Sequence, residues 1–234
     1  ILPSTWYTRR RTLISFGFFV MIALTFFFQN TLTEGTFQTI TNSLHFSLLN
    51  SQFDSHTTIN PTATIIPTSL TASQRLVRVD SSARNQYYTA YQWQVWSYSS
   101  CSGIAMEMVM NAYGRHLIAA DVLQEELNLG VWDVNLGLLR EDGINSTAAY
   151  FGFNTSATHT RTLQNILAIS NQGLPVIVSV RDPYYFPGGH IFVVHGGDSN
   201  NVYIADSSPH NFQRMSYSTF LAMWQGFSAV LTPR

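Results

Sequence analysis

A chain of 234 residues with 45% hydrophobic and 14% aromatic side chains can bury one good-sized core and still carry an appendage. Its net charge of -1, with 11% charged residues, excludes a phosphate-neutralising surface, so no nucleic-acid partner is expected. All the cationic side chains are arginine, which excludes a lysine nucleophile or Schiff base.

The triplet Arg9-Arg10-Arg11 precedes an uncharged apolar run from Leu13 to Phe28. This pattern predicts a cytoplasmic basic flank over residues 1–11 and a transmembrane helix over 12–28. No Ala-x-Ala type site follows the run, so an uncleaved single-pass anchor is favoured over secretion after signal cleavage. The positive-inside rule then places the remainder outside the cell membrane, with the membrane itself as a partner. Residues 29–86 are dominated by Thr, Ser, Asn and Gln and read as a stalk. The aromatic cluster from Tyr87 to Trp96 marks the start of a globular domain over 87–234.

Within that domain a helix is expected from Cys101 to Tyr113, because Ile104, Met108, Val109 and Ala112 recur at helical spacing and Gly114 can form a left-handed cap. From Leu117 to Gly173 the pattern reads as helical throughout: Ala119 to Leu127, Asn135 to Glu141, Ile144 to Phe151 and Leu163 to Ser170. Strands follow. Pro175 to Val180 is nearly continuous and β-branched, as in a strand covered on both faces. His190 to His195 and Val202 to Ala205 flank a Gly/Asp/Asn turn and predict a hairpin. A helix from Tyr217 to Trp224 and a closing strand from Phe227 to Leu231 complete an α+β domain with helices first and an antiparallel sheet second.

Cys101 is the only cysteine, so no intrachain disulfide can form. A helix N-terminus favours the thiolate, which is the nucleophilic form. Against this stands the ordinary role of a lone cysteine as a small buried hydrophobe behind a Ser99-Ser100 cap. Among seven histidines His190 is the candidate base: two glycines precede it, and it opens a strand from which it can face a cleft. His195 lies an odd number of steps further on, hence on the opposite face, and reads as packed or surface-exposed. His116, His159 and His210 lie in loop-like contexts without an evident partner. Asp206 ends the neighbouring strand and could orient the imidazole; Asp198 reads as a turn former. Gln94, in preference to Gln92, is the candidate second oxyanion donor beside the Cys101 N–H. No Cys or His pair has metal-ligand spacing, so neither metal nor cofactor is expected.

Taken in order, the Trp/Gln-rich lead, Cys101 with Met108 to Gly114, Gly173 to Val178, Gly189 to Gly196 and Tyr203 to Asp206 resemble the C39-like branch of papain-fold cysteine peptidases. That resemblance implies a papain-like fold, Cys101 as nucleophile, His190 as base, Asp206 as its orienting residue and an oxyanion-hole glutamine. It also implies a peptide or protein substrate. Where the family commonly has Cys-Gly-Pro, this chain has Cys101-Ser102-Gly103. The same Cys-Ser-Gly resembles the nucleophile segment of NlpC/P60 peptidoglycan hydrolases, which place their histidine closer to the cysteine. The expectation is therefore a membrane-tethered extracytoplasmic cysteine peptidase. Its different-class rival is a catalytically silent module binding peptide or glycan in a groove of Trp93, Trp96, Tyr184 and Tyr185.

Overall fold

The structure, a computed structural model, describes residues 69–234. The expected transmembrane helix over 12–28, and the stalk up to residue 68, lie outside the described residues. Among the described residues no helix is long and apolar enough to cross a membrane.

In chain order the elements are α1 (Ala72–Arg75), a 3-10 turn (Arg84–Gln86), α2 (Ala90–Trp96), α3 (Cys101–Ala112), α4 (Ala119–Asn128), β1 (Trp132–Asp133), β2 (Gly137–Leu138) and α5 (Gly143–Tyr150). They continue with β3 (Phe153–Thr158), α6 (Leu163–Asn171), β4 (Val176–Asp182), β5 (Phe186–Gly197), β6 (Asn201–Asp206), β7 (Arg214–Ser216), α7 (Tyr217–Met223) and β8 (Trp224–Pro233). Six strands form one sheet in the order β3-β8-β4-β5-β6-β7. Every pairing in it is antiparallel. This is the α+β arrangement expected.

The sheet is covered on both faces, and alternation along each strand sends side chains to two cores. Ile177, Ile191, Val193, Ala205 and Ala229 join the helix residues Ile104, Met108, Leu123 and Ile144 in one core. Val176, Val178, Val180, Phe192, Val194 and Ile204 join Ile166, Leu167 and Phe220 in the other. That double covering is why β4 carries no polar alternation: Val176, Ile177, Val178 and Val180 are all buried. α3 supplies the deepest layer on the first face, with every residue from Ser102 to Met110 buried. It ends at Ala112 with Tyr113 as its C-cap, and Gly114 follows with φ +93, as a left-handed cap position requires.

Four expectations need correction. Asn135 to Glu141 is not helical: β1 and β2 form a short hairpin there. Asp133 Oδ1 accepts from the N–H groups of Asn135 and Leu136, an Asx turn that competes with helix, and Gly137 has φ +77. Nor is the stretch from 117 to 173 helical throughout, because β3 pairs with β8. β3 is an edge strand in which Phe153 alone is buried, so it lacks the apolar alternation that would announce it. β5 begins at Phe186, before His190. Finally, the domain does not begin at Tyr87. Ala72 and Ser73 are buried, and the Ser73 N–H donates to Gly173 O at 3.0 Å.

Gly103 explains part of the Cys-Ser-Gly sequence. A Cβ there would lie 2.7 Å from Leu123 Cγ, so the first turn of α3 meets α4 at a distance only glycine allows. Gly103→Ala is expected to cost about 1–3 kcal/mol through overpacking, read as a fall in Tm of several degrees. A Tm unchanged within about 1 °C would show that Leu123 yields freely.

Candidate active site

The N-cap side chain of α3 makes no capping bond, as is also the case for α4 and α5. Thr89 caps α2 with its hydroxyl, Thr162 caps α6, and Ser216 caps α7. Ser100 occupies the same position before α3 but makes no capping bond; its hydroxyl donates to Ser97 O at 3.0 Å. Among the described residues no side chain therefore caps the first-turn N–H groups beside Cys101, which is partly exposed. Free N–H groups at a helix start favour an anion, either a thiolate or a developing oxyanion.

His190 enters from β5. Between Val180↔His190 and Asp182↔Phe186 the ladder accommodates four steps of β5 against two of β4, and Gly189 adopts φ +91 in the excess. The bulge lets the His190 ring stack on Phe186, with centroids 4.4 Å apart and planes at 9°. Phe192 meets the same ring edge-on at 5.4 Å. This packing leaves the imidazole 9% exposed and fixes its plane.

Asp206, fully buried at the end of β6, lies 2.8 Å from His190 Nε2 through Oδ1. Oδ1 also accepts from the Ser208 N–H at 2.8 Å, while Oδ2 accepts from Ser208 Oγ at 2.7 Å and from the Phe212 N–H at 3.0 Å. Burial works to raise the Asp206 pKa, yet the bond to His190 and those to Ser208 outweigh it, and the net shift is downward. An ionised carboxylate only accepts, so Nε2 carries the hydrogen of that bond, and Nδ1 is the acceptor when the ring is neutral. Burial likewise pulls the His190 pKa down, but Asp206 and the neighbouring Cys101 side chain overcome it and raise it to about 9.

The structure thus brings Cys101, His190 and Asp206 together. Gln94 lies on α2, exposed and without a hydrogen-bond partner among the described residues. Gln92 is committed elsewhere: its Oε1 accepts from the N–H groups of Tyr88 at 3.0 Å and Thr89 at 3.2 Å. His195 sits at a bulge beside Tyr203 and takes no part in the cluster. Asp198 holds the β5–β6 turn, accepting from the N–H groups of Asn200 and Asn201. His159 does have a partner, Glu141 at 2.9 Å, and His210 packs edge-on against Tyr185.

Three residues around the cluster were not anticipated. Ser208 follows Asp206 by two, an Asp-x-Ser spacing that signals a local side-chain turn. Phe186 lies in the aromatic run before Pro187. Behind Cys101, Ser102 Oγ donates to Glu126 Oε2 at 2.9 Å, with both residues wholly buried. Burial raises the Glu126 pKa to about 8, which favours its neutral form. The aromatic groove of the rival reading is not assembled: Trp96 is buried edge-on against Trp132, and the Trp93 indole donates to Ser82 O.

The Peptidase_C39 like family model matches residues 82–231. The chain belongs to this family. Its members are cysteine peptidases, and the C39-like segment makes this protein one of them. A curated relative, the lactococcin-A transport/processing ATP-binding protein LcnC of Lactococcus lactis subsp. lactis, is 28% identical over 133 residues, which is 56% of this chain. The match spans only 17% of that relative's length. Among solved structures, the peptidase domain of Streptococcus ComA, a bi-functional ABC transporter of a quorum sensing pathway, aligns with a TM-score of 0.50 at 23% identity. It covers 58% of this chain and 93% of that domain, and the likeness is one of fold. The peptidase domain of Streptococcus mutans ComA is 27% identical, covering 42% of this chain and 77% of that one, with a TM-score of 0.36.

Proposed function

We propose that the C39-like domain hydrolyses peptide bonds through Cys101 as nucleophile, His190 as general base and acid, and Asp206 as the residue that orients and charges His190. The observation that carries this reading is the 2.8 Å bond between His190 Nε2 and a fully buried Asp206. It turns the Nδ1 lone pair toward the thiol at an uncapped helix start.

In the proposed sequence His190 Nδ1 takes the Cys101 proton, and the thiolate sulfur bonds to the scissile carbonyl carbon. The oxyanion so formed is held by the Cys101 N–H and the Gln94 amide. The C–N bond then breaks as Nδ1–H protonates the leaving amine, giving a thioester. Water, deprotonated by His190, attacks that thioester and releases the acid and the free thiol. Assignment of Gln94 rests on a side chain that makes no hydrogen bond among the described residues, whereas Gln92 is held through Oε1 in the cap of α2. Residues 9–28 support a membrane-tethered form of the enzyme with the domain outside the cell, on a papain-like fold.

Iodoacetamide alkylation tests the first step. Cys101 is expected to react about tenfold or more faster in the parent than in His190→Ala, because the base beside it takes the thiol proton. Equal rates in the two folded proteins would sink the pairing. Profiling the purified chain against a peptide library, with double-glycine leader peptides as one arm, identifies the substrate.

A further inference from the structure

We infer that Arg78 is a positioning residue for Asp206, acting from a strap that lies ahead of the family-matched segment. The inference rests on the proposed role of Asp206 in orienting His190.

Residues 71–82 run along the domain and are tied to it at both ends. Thr71 packs on Gly173 so closely that a Cβ added at Gly173 would lie 2.4 Å from the Thr71 Cβ. Ser73 Oγ donates to Ser170 O at 2.9 Å in a buried bond. Further along, the Val79 N–H points at Met108 Sδ of α3 at 3.3 Å, and Ser82 O accepts from the Trp93 indole at 2.8 Å. Between these ties the strap meets the loop that leaves β6. Arg78 Nε donates to Asp206 O at 2.6 Å, the Ser81 N–H to Ser207 O at 2.9 Å, and Arg78 Nη2 to Ser208 O at 2.8 Å. Three successive carbonyls are thereby engaged from one side.

Asp206, Ser207 and Ser208 are buried, so their carbonyls need partners, and beyond Asp206 the chain leaves the sheet that would have supplied them. A guanidinium fork suits the task because it can serve two carbonyls at once from a fixed plane. Asp80 steadies that fork at 3.5 Å. The Asp206 carboxylate is held by Ser208 and Phe212, residues of the same loop, so fixing the loop fixes the carboxylate. A displacement of about 1 Å is enough to break a 2.8 Å bond to His190 and cost catalysis heavily.

The test uses the full chain and iodoacetamide, so no substrate need be known. In Arg78→Ala the alkylation rate of Cys101 at pH 6 is expected to fall about fivefold or more while the rate at pH 9.5 is kept, since a loosened Asp206 no longer holds His190 protonated. Ser73→Ala, which cuts the strap's far tie, is expected to lower Tm without altering the profile. Should Arg78→Ala not fold, Arg78→Lys, which keeps the charge but loses the fork, is read in its place with a two- to threefold fall expected. An unchanged profile in the folded Arg78 variant, or the same shift in Ser73→Ala, overturns the inference. Asp206→Asn separates the two levels. If it leaves the profile unchanged, the reading of Asp206 has failed; if it shifts the profile while the Arg78 variants do not, only the strap's role has failed.

Discussion

Cys101→Ala is expected to lower peptide cleavage by at least about 10⁴-fold, to the level left by binding and oxyanion stabilisation alone. The fold should survive, because the side chain is partly exposed and loses one sulfur atom; Tm should stay within a few degrees of the parent. Neighbouring hydroxyls offer no substitute nucleophile. Ser102 is wholly buried with its proton on Glu126, and Ser100 is buried with its proton on Ser97 O. Mass spectrometry of the products with a folded Cys101→Ala protein reads the result. Residual turnover near the parental rate would place the chemistry elsewhere.

Asp206→Asn carries the second large effect. An amide in place of the carboxylate presents its NH₂ to donors that need acceptors, since His190 Nε2, the Ser208 N–H and hydroxyl, and the Phe212 N–H all converge on the two oxygens. Turnover should fall by about 10²–10⁴-fold, with the His190 ring free to adopt the unproductive tautomer. The variant should also lose about 2–4 kcal/mol of stability through unpaired buried groups.

Four shifts bear on how stability depends on pH. Burial raises Glu107 and Glu126 to about 8, which takes stability away as pH rises from about 4.5 to 8, and the His190–Asp206 pair adds its own part. His190 is raised to about 9, so its contribution is complete below the unfolded value of about 6.5 and is lost as pH rises through 9. Asp206 is lowered, so its contribution is present above the unfolded value of about 3.9 and disappears as pH falls through the folded one. Parental Tm should therefore decline from about pH 4.5 to 9, and Asp206→Asn should remove the part of that decline due to His190, above about pH 6.5. Calorimetry across pH 5–9.5 checks both; an equal slope in the two proteins would mean the pair is uncoupled.

The parts of the fold that could be read from sequence are those whose periodicity or turn chemistry is local. The unbroken Val176–Val180 run announced a strand buried on both faces, and Gly196 to Asn201 announced the β5–β6 hairpin. β3 escaped because an edge strand of Asn, Thr and Ser buries one side chain and needs no alternation. The strap escaped for a related reason. Its Thr/Ser composition reads as linker, and what binds it is hydrogen bonding to carbonyls far along the chain, which leaves no pattern in the residues themselves. At the site, His190 was legible through the two glycines before it, and Asp206 through its place at a strand end. The stack on Phe186 and the acid behind Ser102 were not, because each pairs elements whose meeting the sequence does not encode locally.

The place of β8 in the sheet has a consequence for how the enzyme comes into being. β8, residues 224–233, is not at an edge; it lies between β3 and β4. β4 in turn lies beside β5, which carries His190. Until residues 224–233 have left the ribosome, β4 lacks one neighbour and β3 has no sheet to join. Pairings of such long sequence separation form late and slowly. The same delay means that a partly synthesised chain already holds Cys101 but not the finished sheet behind His190, so the Cys101, His190 and Asp206 side chains are held together only once β8 has paired.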